Sequence, residues 1–165
     1  MKKKRVLILV SSDSGYRQER EDLSGPVIRE IMEEQGYEVV GIRIFPDEQK
    51  MLEAQIIQPA DRGEAELILT TGGTGFSPRD CMPEATKAVC QREVPGIPEA
   101  MRAYSLQFTG RSMLSRAAAG IRNMTLIVNL PGSPKAVREC LEYIAPHLGH
   151  GIEILTGEAG NCARK

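Results

Sequence analysis

Short apolar runs alternate with segments whose apolar positions recur at helical spacing, and this continues along almost the whole chain. Val6–Val10 is unbroken apolar sequence, the mark of a strand buried on both faces. Leu23-Ser24-Gly25-Pro26-Val27-Ile28 then leads into a predicted helix through Gln35. Pro26 suits its first turn, Ile28, Ile31 and Met32 form its apolar face, and Gly36 ends it. Glu38–Ile44 predicts the next strand, and Pro46-Asp47-Glu48 the start of a helix carrying Met51, Leu52, Ile56 and Ile57. Glu66–Thr70 predicts a strand, Pro83–Gln91 a helix, and the stretch from Ile97 to Ile121 one or two more helices. Thr125–Leu130 returns to strand. Pro131-Gly132-Ser133-Pro134 turns into a last long helix with Val137, Cys140, Leu141 and Ile144 on one face.

Continuous apolar strands separated by helices predict a three-layer α/β/α domain around a mostly parallel central sheet. Ligands of such sheets bind beyond the carboxyl ends of the strands. The loops to inspect are therefore Ser11–Gly15, Phe45–Glu48, Thr71–Asp80 and Pro131–Pro134, all rich in glycine, hydroxyl or carboxylate groups. At 165 residues the chain fits one domain, 1–165, with no internal repeat or linker; its polar tail, Glu158–Lys165, is expected to be mobile.

Composition narrows the picture by exclusion. A hydrophobic share of 41% argues against disorder, and a net charge of −1 gives no reason to expect nucleic-acid binding. The basic start, Met1-Lys2-Lys3-Lys4-Arg5, superficially resembles a secretion signal. The apolar run after it is too short and ends in Ser11-Ser12-Asp13-Ser14-Gly15, so a soluble cytoplasmic protein without a membrane anchor is expected. Cys81, Cys90, Cys140 and Cys162 lack metal-ligand spacing, and His147 and His150 share no motif with them. Free thiols, rather than structural zinc, are the expectation.

The richest stretch is Thr70-Thr71-Gly72-Gly73-Thr74-Gly75-Phe76-Ser77-Pro78-Arg79-Asp80, a strand end emptying into a glycine-rich loop. Backbone N–H groups, hydroxyls, a cation and a carboxylate gathered this closely suit a phosphate and its metal. The loop is not a Walker A loop, a dinucleotide fingerprint or a nucleophile elbow, and on spacing alone a tight turn competes with a phosphate site.

Thr70–Asp80 followed by Pro83-Glu84-Ala85-Thr86 resembles the signature of the MogA/MoaB family, which includes molybdopterin adenylyltransferases and the G domain of gephyrin. Ser12-Asp13-Ser14 with Asp22-Leu23-Ser24-Gly25-Pro26 is similar to the family's first motif, and Phe45-Pro46-Asp47-Glu48 to its second loop. Met113–Arg122 and Asn129-Leu130-Pro131-Gly132-Ser133-Pro134 resemble the later motifs, so the likeness runs from about Val6 into the last helix.

The resemblance implies a homotrimer that binds molybdopterin. In catalytic members it also implies Mg2+-ATP-dependent adenylylation of molybdopterin with loss of pyrophosphate, the product passing to a molybdenum-insertion protein. A MoaB-like protein that binds or carries molybdopterin without turnover is the alternative; a scaffold role fits less well, because the linker and second domain of such scaffolds are missing. By the same resemblance Asp47 and Asp80 are the catalytic pair, holding magnesium and phosphates. Gly72, Gly73, Thr74, Gly75, Asp13, Ser14, Ser115, Arg116, Pro131, Gly132 and Ser133 are the binding residues. Each also has a plainer reading. Asp47 and Ser133 suit helix N-caps, Asp80 could pair with Arg79 at the surface, Asp13 could cap a turn, and Arg116 could sit on an exposed helix.

Overall fold

In a computed structural model, which describes residues 2–159, each predicted apolar run forms a strand. The elements in chain order are β1 (Arg5–Ser11), the single turn α1 (Asp13–Tyr16), α2 (Ser24–Glu34), β2 (Glu38–Phe45), α3 (Gln49–Asp61), β3 (Leu67–Thr71) and α4 (Met82–Val89). They continue with β4 (Arg92–Glu93), α5 (Gly96–Ser105), a 3-10 turn (Gly110–Leu114), β5 (Ala119–Arg122), β6 (Thr125–Leu130) and α6 (Pro134–Thr156). The strands form one sheet in the order β2-β1-β3-β6-β5-β4. β2, β1, β3 and β6 run parallel; β5 pairs antiparallel with β6, and β4 antiparallel with β5.

The period of two in each strand divides the core cleanly. Val6, Ile8 and Val10 join Leu67, Leu69, Leu126, Val128 and Leu130 beneath α2 and α6, which contribute Ile28, Met32, Val137, Leu141 and Ile144. Leu7, Leu9, Ile68 and Ile127 point the other way, onto Leu52 and Ile56 of α3 and Met82, Ala85 and Val89 of α4. The result is the expected α/β/α layering. No helix among the described residues is long and apolar enough to cross a membrane. The tail expected over Glu158–Lys165 lies, past Ala159, outside the described residues, and so does Cys162.

Two expectations are corrected. The stretch up to Ile121 is not helical throughout: α5 ends at Ser105, and Ala119–Arg122 is a strand. Alanine favours helix intrinsically, but here Asn129, fully buried in β6, holds the chain extended by accepting from the Ala118 N–H at 3.1 Å. Its Nδ2 donates to Thr70 Oγ1 at 3.0 Å and Thr86 Oγ1 at 2.8 Å, so one side chain ties β6 to β3, α4 and the segment before β5. The second correction concerns α3, which starts at Gln49 rather than at Pro46, leaving Asp47 in the loop.

Candidate active site

Because β1, β3 and β6 are adjacent and parallel, the loops following them meet at one sheet edge. Their contact at Gly72 requires glycine. Its φ is +87°, and a Cβ there would stand 2.3 Å from the Ser11 carbonyl oxygen. Two hydroxyls strap the junction to the third loop: Thr71 Oγ1 donates to the Pro131 carbonyl at 2.6 Å, and Ser24 Oγ to the Gly132 carbonyl at 2.7 Å.

This junction floors a cleft of about 380 Å³ lined by Ser11, Ser12, Ser24, Thr71, Gly72, Gly132 and Ser133, with Arg20 and Asp22 at its rim. Ser133 N-caps α6, accepting from the Ala136 N–H at 3.2 Å, so its capping role and its place in the cleft coexist. Across the glycine-rich loop lies a second cleft, of about 290 Å³. Thr74, Gly75, Ser115 and Pro131 line it together with the apolar side chains of Met101 and Leu114. Seven of the predicted binding residues are thus divided between two clefts by the loop itself. Asp13, Ser14, Gly73 and Arg116 line neither; the Ser14 hydroxyl is 3.4 Å from that of Ser12.

The two predicted catalytic carboxylates, Asp47 and Asp80, stand beside the loop rather than in either cleft. A Cβ on Gly73 would lie 3.5 Å from Asp47 Oδ1, and one on Gly75 would lie 2.9 Å from Asp80 Oδ2, so the two acids flank the loop two residues apart. Asp47 does not cap α3; the N-cap position is Glu48, which makes no side-chain cap bond. Asp47 instead accepts from Ser11 Oγ at 2.5 Å and the Asp13 N–H at 3.1 Å, and its own N–H donates to Asp13 Oδ1 at 3.0 Å. Asp80 does not pair with Arg79. It accepts from the Ser77 N–H at 2.9 Å, while Arg79 forks onto both oxygens of Asp13, at 3.0 and 2.9 Å.

Arg79, followed by the Asp47 N–H, holds the Asp13 carboxyl below the usual carboxylate range. A depressed folded-state pKa means that the pair's contribution is complete above the unfolded value, about 3.9, and is lost as pH falls through the lower folded value. The carboxyl carbon resonance of Asp13 is therefore expected to stay flat between pH 8 and 5 and to titrate only below about 3.9. A midpoint at or above that value would show that the fork is not formed. The nearby thiol of Cys81 is pushed up by burial first and then by Asp47, and burial takes that of Cys90 up to about 11, so both stay protonated near neutrality.

Several groups at this site were not singled out from the sequence: Ser11, Ser12, Ser24 and Thr71 in the first cleft, and Arg79 as the partner of Asp13. Ser12 and Ser24 lie in the first resembling motif and Thr71 and Arg79 in the glycine-rich stretch, but nothing there gave them a role; Ser11 had only its position at the end of β1. Arg116 is on no helix; it lies in the extended segment before β5 and reaches back to the glycine-rich loop.

The family described as "Probable molybdopterin binding domain" matches residues 7–150 of this chain. A Helicobacter pylori protein named molybdopterin adenylyltransferase is 42% identical over 157 residues, spanning 91% of this chain and 86% of its own length. Among solved structures, the molybdopterin biosynthesis enzyme MoaB of Thermus thermophilus is 47% identical with a TM-score of 0.88, covering 93% of this chain and 97% of its own. The tungsten cofactor synthesizing protein MoaB of Pyrococcus furiosus is 33% identical with a TM-score of 0.85, covering 94% and 98%.

Proposed function

Since the chain belongs to this molybdopterin-binding domain family, we propose that it is a molybdopterin adenylyltransferase of molybdenum cofactor biosynthesis. The terminal phosphate of molybdopterin attacks the α-phosphate of ATP, and pyrophosphate leaves. The observation that carries the catalytic reading is the pair Asp47 and Asp80 set against Gly73 and Gly75 of one loop.

Nucleotidyl transfer needs two anions brought into line and the charge on the transferred phosphoryl group offset. The hydroxyls of Ser12 and Ser133, with the backbone at Gly72 and Gly132, give the first cleft the donors for the nucleotide's phosphates, while those of Ser11 and Thr71 are already given to Asp47 and to the Pro131 carbonyl. The second, more apolar cleft suits the pterin, and the reacting phosphates then meet at the Gly73–Gly75 ridge. Asp47 and Asp80 would hold magnesium there. Both are hard oxygen donors with lone pairs to spare, and a site of two carboxylates fits an ion that keeps water and phosphate oxygens in its shell. When bound, magnesium offsets charge on the α-phosphate and on the departing pyrophosphate. Neither aspartate forms a covalent intermediate; their work is positioning.

The test is pyrophosphate release from ATP, with and without molybdopterin and magnesium. Release that needs both supports the enzyme, whereas tight molybdopterin binding without release would leave a carrier. We also assign a cytoplasmic homotrimer that passes its product to a molybdenum-insertion protein. A sedimentation mass of one chain at micromolar concentration would remove the trimer.

A further inference from the structure

We infer that Arg116 is a positioning residue that sets the glycine-rich loop and the Asp80 backbone from outside the clefts and touches neither substrate. The inference rests on the adenylyltransferase reading for its kinetic consequences, and on geometry for its cause. Arg116 Nε donates to the Gly75 carbonyl at 2.8 Å, and Nη2 to the Asp80 carbonyl at 3.0 Å. Nη1 pairs with the Glu84 carboxylate in the first turn of α4, and the Arg116 backbone N–H donates to the Thr74 carbonyl at 2.9 Å. One residue thus grips the loop at Thr74 and Gly75 on its way out and at Asp80 on its return. Between those points the chain makes a tight turn, with the Asp80 N–H donating to the Ser77 carbonyl at 2.9 Å.

Arg116 lines neither cleft, and three of its five N–H groups are already committed. A guanidinium aimed at substrate phosphate would be expected to present its fork to a cavity. Here the fork diverges onto two carbonyls and a carboxylate, a geometry a lysine ammonium, a single point, cannot reproduce. The Glu84 pair is half exposed, with side-chain exposures of 33% for Arg116 and 45% for Glu84, so it adds little by itself. The two carbonyl bonds matter more, because they fix where the Asp80 carboxylate stands relative to Gly75. A displacement of the order of 1 Å at a reacting centre costs roughly a hundredfold in rate.

The experiment compares Arg116→Ala, Arg116→Lys and Glu84→Gln with wild type by steady-state pyrophosphate release and by amide exchange at Ser77 and Asp80. Arg116→Ala and Arg116→Lys should lose about tenfold or more in kcat, with KM for ATP and molybdopterin held within about threefold. Added guanidinium should restore part of the Arg116→Ala rate, and Glu84→Gln should stay within about threefold of wild type. Raised KM with kcat intact would overturn the inference by making Arg116 a substrate contact, and unchanged kinetics in all three variants would overturn it by leaving Arg116 no part in the reaction. If Arg116→Ala does not fold, Arg116→Lys carries the test. If wild type itself releases no pyrophosphate, the enzymatic reading fails on its own and amide exchange decides. Faster exchange at Ser77 and Asp80 in the Arg116 variants supports the clamp, and unchanged exchange overturns it.

Discussion

Asp80→Asn is expected to release pyrophosphate at about a hundredth of the wild-type rate or less, while molybdopterin binding stays within a few-fold of wild type. The substitution removes a charge and little else. Asp80 sits in a surface loop, where its Oδ2 accepts from the Ser77 N–H, and an asparagine oxygen can take the same bond. The turn should therefore persist, and thermal unfolding should be unchanged. What disappears is one of the two anionic oxygen donors at the ridge, so the rate should fall through a lost transition-state interaction rather than through lost binding. Removal of a single preorganised electrostatic group in other enzymes costs about 10²–10³ in kcat, which sets the scale. Excess magnesium should recover part of the rate in Asp80→Asn if Asp47 still holds the ion. Unchanged turnover would take Asp80 out of the mechanism, and lost molybdopterin binding would make it a binding residue.

Gly72→Ala should abolish turnover and cost several kcal/mol of stability, about 1–3 of it from the left-handed backbone alone. The remainder comes from contact. An added Cβ would lie 2.3 Å from the Ser11 carbonyl oxygen, an atom at the end of β1 that cannot retreat without disturbing the strand. The loop must move instead, and both clefts change shape with it. Gly36 supplies the control, having nearly the same φ, +84°, with nothing within 4 Å of its would-be Cβ. Gly36→Ala should carry only the backbone cost and keep full activity. Thermal unfolding of the two variants side by side separates strain from close approach. Equal losses with equal activity would show that the junction tolerates a side chain.

Much of this architecture is legible in the amino-acid sequence. The central parallel strands β1, β3 and β6 are plain in the sequence because each is buried on both faces and mostly apolar; Val6–Val10 could hardly be anything else. The glycine-rich loop and the two aspartates were equally visible. What stayed hidden depended on partners distant in sequence. Ala117-Ala118-Ala119 reads as helix until Asn129, ten or more residues on, claims the Ala118 N–H. Asp47 reads as a helix cap until Ser11 and Asp13, more than thirty residues earlier, take its carboxylate. Arg116 reads as a solvated cation on an exposed helix until its reach to Gly75 is seen. In each case short-range preference pointed one way and a tertiary hydrogen bond decided otherwise.

The straps at the sheet edge have a kinetic side. Thr71 and Pro131 are 60 residues apart, and Ser24 and Gly132 are 108 apart, so neither bond offsets its loop-closure entropy until β1, β3 and β6 stand side by side. The cradle should accordingly be absent from the folding transition state and appear only on its native side. A ligand seated there would leave the refolding rate almost untouched and act wholly on the reverse step, so that a loaded protein outlasts an empty one by unfolding more slowly.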